Sequence, residues 1–333
     1  MKISFFEVEE WERQVLKVLA GDHEVRFEAE PLNERLAVEH ADADVISTFI
    51  YSDVSSGVLD RFHSLGLIAT RSTGYDHIDM GWCHEHGVDV DNVPAYGERT
   101  IAEHVFALLL AISHRIVEGV DRTRRGDFSL SGLRGFDLHG KIMGVVGTGG
   151  IGRHTVEIAR GFGMDVLATD PLPDAVLAAD PRVGYVDLPT LLASADVVSL
   201  HVPGGEATRH MLGQPQFARM RRGAVLINTS RGEVVDSQAL LRALADGTVA
   251  AAGLDVIEAE PALREEAELL RSVFTRGHDL ETLLTDHILL RMRNVIITPH
   301  SAFYTEEAVR RILDTTRDNI EAYAAGRRLN AVA

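Results

Sequence analysis

Cysteine is almost missing from this chain. Cys83 is the only one, which excludes an intrachain disulfide and a cysteine-based metal cluster. By itself Cys83 reads as a small, semi-buried apolar residue. Lysine is nearly as scarce, standing only at Lys2, Lys17 and Lys141; the basic residues are otherwise arginine, a composition bias that no chemistry demands. No apolar run is long enough to span a bilayer, and the opening MKISFFEVEE lacks signal-peptide architecture. A cytoplasmic location is the expectation, with no membrane partner. Positive charge is short as well: 33 Lys and Arg against 50 Asp and Glu leave a net charge of −17. A surface this acidic disfavours nucleic acid and anionic lipid as partners, and an anionic small substrate would need a local positive site.

What is present fits an ordinary globular protein. Apolar residues make up 45% and charged residues 25% of the composition. A chain of 333 residues exceeds the size at which one hydrophobic core stops growing, so two domains are expected. In the first third, apolar runs at Ile3–Phe6, Val45–Ile50, Leu67–Thr70 and Val88–Val90 alternate with helical patterns such as Trp11–Leu19. Beyond Pro94 comes a strongly apolar helix, Thr100–His114, read as a buried connector. A second alternating series follows, with strands at Ile142–Val146, Asp165–Thr169, Val197–Leu200, Val225–Asn228, Ala250–Leu254 and Val295–Thr298. Continuous apolar strands alternating with helices predict parallel sheets covered on both faces. The fold class is therefore α/β, with two doubly wound parallel-sheet domains. The last helix, Glu306–Ala325, returns to the first domain. The expected boundaries are 1–98 with 303–333 for one domain and 99–302 for the inserted one, with a cleft between them.

Gly147-Thr148-Gly149-Gly150-Ile151-Gly152 matches G-x-G-x-x-G. Alone the pattern is weak, but here it follows a strand and opens a helix, as a dinucleotide site requires. Glycines let the backbone approach a pyrophosphate, and the helix N-terminus favours anions. Asp170 closes the next strand at the position of an acid that binds ribose hydroxyls, and its charge favours NAD over NADP.

Three further residues stand at strand ends: Arg231 after AVLINTS, Glu260 after AAGLDVIEAE and His300 after NVIITPH. Carboxyl ends of strands form the ligand crevice in such sheets. Reduction of a 2-oxo acid needs a proton donor, which suits His300; a carboxylate to orient it, which suits Glu260; and a planar cation for the substrate carboxylate, which suits Arg231. Singly each has a bland reading as turn arginine, loop acid or strand cap. At three strand ends of one nucleotide domain, together, they read as a catalytic set.

With these residues in view, the sequence resembles the D-isomer-specific 2-hydroxyacid dehydrogenase family. The resemblance runs through RSTGYDHID (Arg71–Asp79), NVPAYGERTIAEH (Asn92–His104), VVGTGGIG, ADVVSLHVP (Ala195–Pro203), LINTSRGEVVD (Leu226–Asp236), AAGLDVIEAEP (Ala251–Pro261) and TPHSAFYTEEA (Thr298–Ala308). It implies that Arg231 binds the substrate carboxylate, that His300 is the acid/base and that Glu260 is its partner. The N–H groups of Thr73 and Gly74 would also hold the carboxylate. Gly150 and Ile151 would meet the pyrophosphate, Val202, Pro203 and Thr208 would border the NAD, Thr229, Ser230 and Arg231 would line the nicotinamide, and Asp255 would lie near its carboxamide. His201 stays undecided between structure and function. RSTGYDHID, the pair Phe303 and Tyr304, and the long stretch after Glu260 resemble the D-lactate dehydrogenase branch, with pyruvate as the implied substrate. Phe303, with Tyr96, would form an aromatic wall for a short side chain; helix-start packing is the equal alternative for Phe303 and Tyr304. Phe49 and Tyr51 alternate on one strand, so at most one would face substrate. The charged stretch Ala262–Arg293 has no assignment. A homodimer is implied, with Thr100–His114 and Asp121–Arg134 as its candidate interface. The rival functions are the same chemistry on glyoxylate, hydroxypyruvate or a bulkier 2-oxo acid, and an NAD(H)-sensing binding protein without turnover.

Overall fold

A computed structural model describes residues 1–258 and 280–332. The chain divides into two compact units, Met1–Tyr96 with Thr305–Ala333, and Gly97–Tyr304. The division falls two residues from the expected boundaries at each crossing.

The first unit holds five parallel strands: β1 (Lys2–Phe5), β2 (Glu24–Phe27), β3 (Val45–Ser47), β4 (Leu67–Ala69) and β5 (Asp89–Asp91), in the order β2-β1-β3-β4-β5. Ile3, Val45, Ile46, Leu67 and Ile68 are wholly buried, because helices cover both sheet faces. The last helix, Glu306–Ala324, belongs to this unit and packs against β4 and the helix Glu10–Leu16. It is started by Thr305, whose hydroxyl accepts from the N–H of Ala308, a standard N-cap. Its Asn319 amide donates to the carbonyl of Asn92 at 2.9 Å. Gly66 leaves room for it, since a Cβ there would stand 2.2 Å from the Tyr323 hydroxyl.

The second unit holds seven parallel strands: β6 (Ile142–Val146), β7 (Asp165–Thr169), β8 (Val183–Tyr185), β9 (Val197–Leu200), β10 (Ala224–Asn228), β11 (Val249–Leu254) and β12 (Val295–Ile297). Their order is β12-β11-β10-β9-β6-β7-β8. The chain runs outward from β6 on one side and then from β9 on the other. That reversal between β6 and β9 is where ligands bind in doubly wound sheets. One core lies on each face: Leu191, Leu226, Leu240 and Leu254 on the first, and Val105, Leu109, Met143 and Val145 on the second.

Two strands escape the sequence reading, β2 (EVRF) and β8 (VGY). Both are sheet edges and mostly half-buried, so neither carries a continuous apolar run. Strand β3 ends at Ser47, three residues before the expected end. Phe49 and Tyr51 therefore sit in the following turn, and strand alternation does not govern them. The Glu7 carboxylate holds that turn, accepting from the N–H of Phe49 at 2.8 Å, the N–H of Tyr51 at 2.9 Å and the Ser52 hydroxyl at 2.5 Å.

The connector helix spans Glu98–Ser113 and buries Ala102, Val105, Phe106, Leu108 and Leu109 within its own unit. Its apolar face is therefore already covered. The exposed apolar residues lie after it, at Ile116, Val117, Val120, Phe128 and Leu130. Of the unassigned stretch Ala262–Arg293, the part through residue 279 is outside the described residues, while Leu280–Leu289 is a helix packed on Ser237–Asp246. Among the described residues no single helix is long and apolar enough to cross a membrane.

Candidate active site

The glycine loop joins β6 to the helix Gly150–Gly161 at the switch point of the sheet. Gly147 has φ +92°, and a Cβ there would lie 2.5 Å from the carbonyl of His201 at the end of β9. A Cβ on Gly152 would lie 2.0 Å from the carbonyl of Gly147. Above Gly149 the space is open, so a phosphate could reach bare backbone there. The first N–H groups of the helix have no partner within it, and with Gly150 and Ile151 at its start they fit a pyrophosphate. Val202 touches the same loop, 3.3 Å from a Cβ built on Gly147. The Thr208 hydroxyl donates to the carbonyl of Pro203 at 2.7 Å and closes the next turn.

Asp170 lies at the end of β7 and turns back to this loop. Its Oδ2 accepts from the Thr148 N–H at 2.7 Å and the Thr148 hydroxyl at 3.2 Å, and its Oδ1 accepts from Leu172 N–H at 2.8 Å. Burial pushes its pKa up, but these donors outweigh burial and hold it below the usual carboxylate value. The acid stays charged at neutral pH, which suits ribose hydroxyls.

Two buried polar atoms at neighbouring strand ends have no partner among the described residues: Nδ1 of His201 and Oγ1 of Thr229. Burial drives the His201 imidazole down to about 3, so it is neutral, with Nε2 on the Ser199 hydroxyl at 2.9 Å. Orphaned polar atoms of this kind call for a ligand or water. With the bare loop and Asp170, they fit a dinucleotide lying along the carboxyl ends of β7, β6, β9 and β10.

Arg231 and His300 stand on the loops after β10 and β12, with β11 between those strands. Each loop is braced from a strand end. Asn228 closes β10; its Oδ1 accepts from the N–H and hydroxyl of Ser230 at 3.0 and 2.8 Å, and its Nδ2 donates to the carbonyl of Arg231 at 2.9 Å. Gly232 follows because a Cβ would meet the carbonyl of Ile257 at 2.1 Å. Asp255 follows β11 and is 1% exposed. Its carboxylate accepts from the Thr298 hydroxyl at 2.5 Å, Ser301 N–H at 2.9 Å and Ala302 N–H at 2.9 Å, while its carbonyl accepts from His300 N–H at 3.0 Å. Both carboxylate oxygens are thus taken by the loop that carries His300. That loop is strained: His300 has φ +52°, a left-handed conformation costing about 1–2 kcal/mol for a residue with a side chain. Four bonds to one aspartate hold it there. His104 joins from the connector helix, with Nε2 on Thr298 Oγ1 at 3.1 Å; burial lowers its pKa against the pull of Asp255.

Glu260 lies outside the described residues. Phe303 and Tyr304 meet edge to face at 5.8 Å between centroids, and the Cβ of Phe303 lies 3.8 Å from a Cβ built on Gly97.

In the first unit, the Thr73 hydroxyl donates to the carbonyl of Val93 at 2.8 Å, and its carbonyl accepts from Asn92 Nδ2 at 2.8 Å. The carbonyl of Gly74 accepts from the Ser72 hydroxyl at 2.6 Å. The N–H groups of Thr73 and Gly74 have no acceptor among the described residues. Beneath this loop Arg71 is buried, donating to the carbonyls of Phe6 at 2.6 Å and Glu7 at 2.8 Å. Tyr96 accepts at its carbonyl from Arg311 Nε at 2.8 Å.

Residues 106–302 match the D-isomer specific 2-hydroxyacid dehydrogenase, NAD binding domain family. The chain belongs to the D-isomer-specific 2-hydroxyacid dehydrogenases. It is 35% identical to the D-lactate dehydrogenase of Escherichia coli (strain K12), covering 98% of each chain. It is 34% identical to the glyoxylate reductase of Korarchaeum cryptofilum, over 89% of this chain and 84% of that one. Its structure matches the D-lactate dehydrogenase from Aquifex aeolicus complexed with NAD and lactic acid, with TM-score 0.86, 34% identity and coverage of 97% and 96%. This dehydrogenase is an NAD-dependent enzyme with two α/β domains, and it resembles the D-lactate dehydrogenase branch.

Sequence reading did not find Asn228, Thr298 or His104, nor the bracing role of Asp255. The one local signal was a polar residue closing an apolar strand, which Asn228 and Asp255 share.

Proposed function

We propose that this dehydrogenase reduces pyruvate to D-lactate, reversibly, with His300 as acid/base and Arg231 as the anchor of the substrate carboxylate. The observation that carries the reading is the pair of braced loops that follow β10 and β12 on either side of β11, with a strained His300 held by a buried aspartate. Backbone strain of this kind persists where surrounding contacts over-determine it, and it clusters at functional sites.

NADH, when bound, supplies the hydride. The chain's own residues do the rest. Arg231 presents a planar fork to the two carboxylate oxygens and fixes the 2-oxo group's direction. The free N–H groups of Thr73 and Gly74 are further donors to that carboxylate. His300 gives its proton to the carbonyl oxygen as it becomes an alcohol, and takes it back in the reverse direction. Glu260 is its partner in this reading, and Asp255 is the positioning residue that aims it. Gly147, Gly149, Gly150, Ile151 and Gly152 take the pyrophosphate and Asp170 the ribose. Val202, Pro203 and Thr208 border the dinucleotide, and Thr229 and Ser230 line its nicotinamide end. Tyr96 and Phe303 border the substrate's methyl group.

A panel of 2-oxo acids, followed by NADH oxidation in absorbance, tests the substrate. Pyruvate is expected to give the highest kcat/KM. Glyoxylate, hydroxypyruvate or a branched 2-oxo acid turning over tenfold better would replace pyruvate, and NADH binding without turnover of any of them would end the reading.

The same proposal includes a homodimer. Ile116, Val117, Val120, Phe128 and Leu130 leave an apolar surface on the second unit, of the kind that marks protein interfaces. Sedimentation velocity at low micromolar concentration should show a dimer that Phe128→Asp with Leu130→Asp weakens; a wild-type monomer would remove the idea.

A further inference from the structure

We infer that Tyr185, acting through Thr148, is a specificity-determining residue for NAD over its 2′-phosphorylated form. The inference rests on the reading of Asp170 as the ribose acid.

Tyr185 closes the edge strand β8, and its ring packs against the core that also holds Met143 and Val166. Its hydroxyl accepts from the Asp174 N–H at 3.0 Å and donates to Thr148 Oγ1 at 3.0 Å. Thr148 in turn donates to Oδ2 of Asp170 at 3.2 Å. The direction of this chain is forced at both ends. An amide N–H can only donate, and an ionised carboxylate can only accept. Every hydroxyl between them must therefore point its hydrogen toward Asp170. Aligned hydrogen bonds strengthen one another, and this row ends on the carboxylate that faces the ribose.

Two consequences follow. The row fixes where the negative charge of Asp170 stands, together with the N–H groups of Thr148 and Leu172. It also keeps the Thr148 hydroxyl from turning outward. Without Tyr185 that hydroxyl is free to rotate and donate to a phosphate oxygen, and the carboxylate loses one of its anchors. Both changes relieve the repulsion that a 2′-phosphate meets. No sequence pattern announces the role, because Thr148 is an unspecified position in G-x-G-x-x-G and Tyr185 lies 37 residues away.

NADH and NADPH are titrated separately into wild type, Tyr185→Phe, Thr148→Ser and Thr148→Val, following nicotinamide fluorescence. Tyr185→Phe keeps the ring and its packing. It should raise the Kd for NADH and lower the wild-type preference for NADH over NADPH by up to about tenfold, the upper scale of one neutral hydrogen bond. Thr148→Val, which removes the carboxylate's anchor but offers a phosphate no hydroxyl, should shift the preference in the same direction by less, and Thr148→Ser, which keeps the hydroxyl, should stay near wild type. The inference fails if Tyr185→Phe weakens both dinucleotides equally, for that is a structural effect, or if it leaves the preference unchanged. A wild-type protein that prefers NADPH would instead overturn the reading of Asp170 beneath it.

Discussion

Arg231→Lys is expected to lower kcat/KM for pyruvate by about a thousandfold, equivalent to about 4 kcal/mol of transition-state binding. Lysine keeps the charge and loses the fork. The surrounding structure gives it no way to compensate. Asn228 pins the carbonyl of residue 231, and Gly232 is packed against Ile257 so closely that the turn cannot shift. Arginine's own Nη1 donates to the carbonyl of Ser230 at 2.9 Å, which aims the guanidinium; a lysine ammonium has no comparable planar set of donors. The loss should appear in kcat as well as KM, because a carboxylate that is held but rotated presents the wrong carbonyl direction. Kd for NADH, measured by fluorescence, should stay within a few fold. A variant keeping a tenth or more of wild-type kcat/KM would remove Arg231 as the anchor.

His300→Gln is expected to bind NADH normally and to reduce pyruvate more slowly by a factor on the order of 10²–10⁴, the usual contribution of one positioned proton donor. The fold around it should survive. The backbone of residue 300 is held through its own N–H, and Ser301 and Ala302 are held through theirs, all on Asp255. None of those bonds uses the imidazole. The pH profile carries the sharper test. Reduction consumes a proton, so wild-type kcat/KM should fall as pH rises. In His300→Gln that limb should vanish. A variant whose rate keeps the wild-type pH dependence would clear His300 of the acid role and pass it to another group.

The inner strands could be read from the chain alone because each is buried on both faces and so carries an unbroken apolar run, as in IMGVV and AVLIN. Two of the edge strands could not. EVRF and VGY face solvent on part of their surface, and the same residues read equally well as loop. Phe49 and Tyr51 failed for a related reason: apolar residues continue past Ser47, but the Glu7 carboxylate captures their N–H groups from a distance of more than forty residues and ends the strand.

Arg231, His300, Asp170 and the glycine loop were visible as strand-end residues, since the alternation of strand and helix sets where the crevice lies, whatever the details of packing. Local chemistry in the chain is enough to name the fold and the cofactor and to propose the reacting groups. Their braces are another matter. Thr298 and His104 meet across 194 residues and Tyr185 and Thr148 across 37. Such partners depend on which strands become neighbours and on the last ångström of loop geometry. Aim and charge placement at this site come from contacts made only when the sheet is assembled, and a linear pattern holds no record of them.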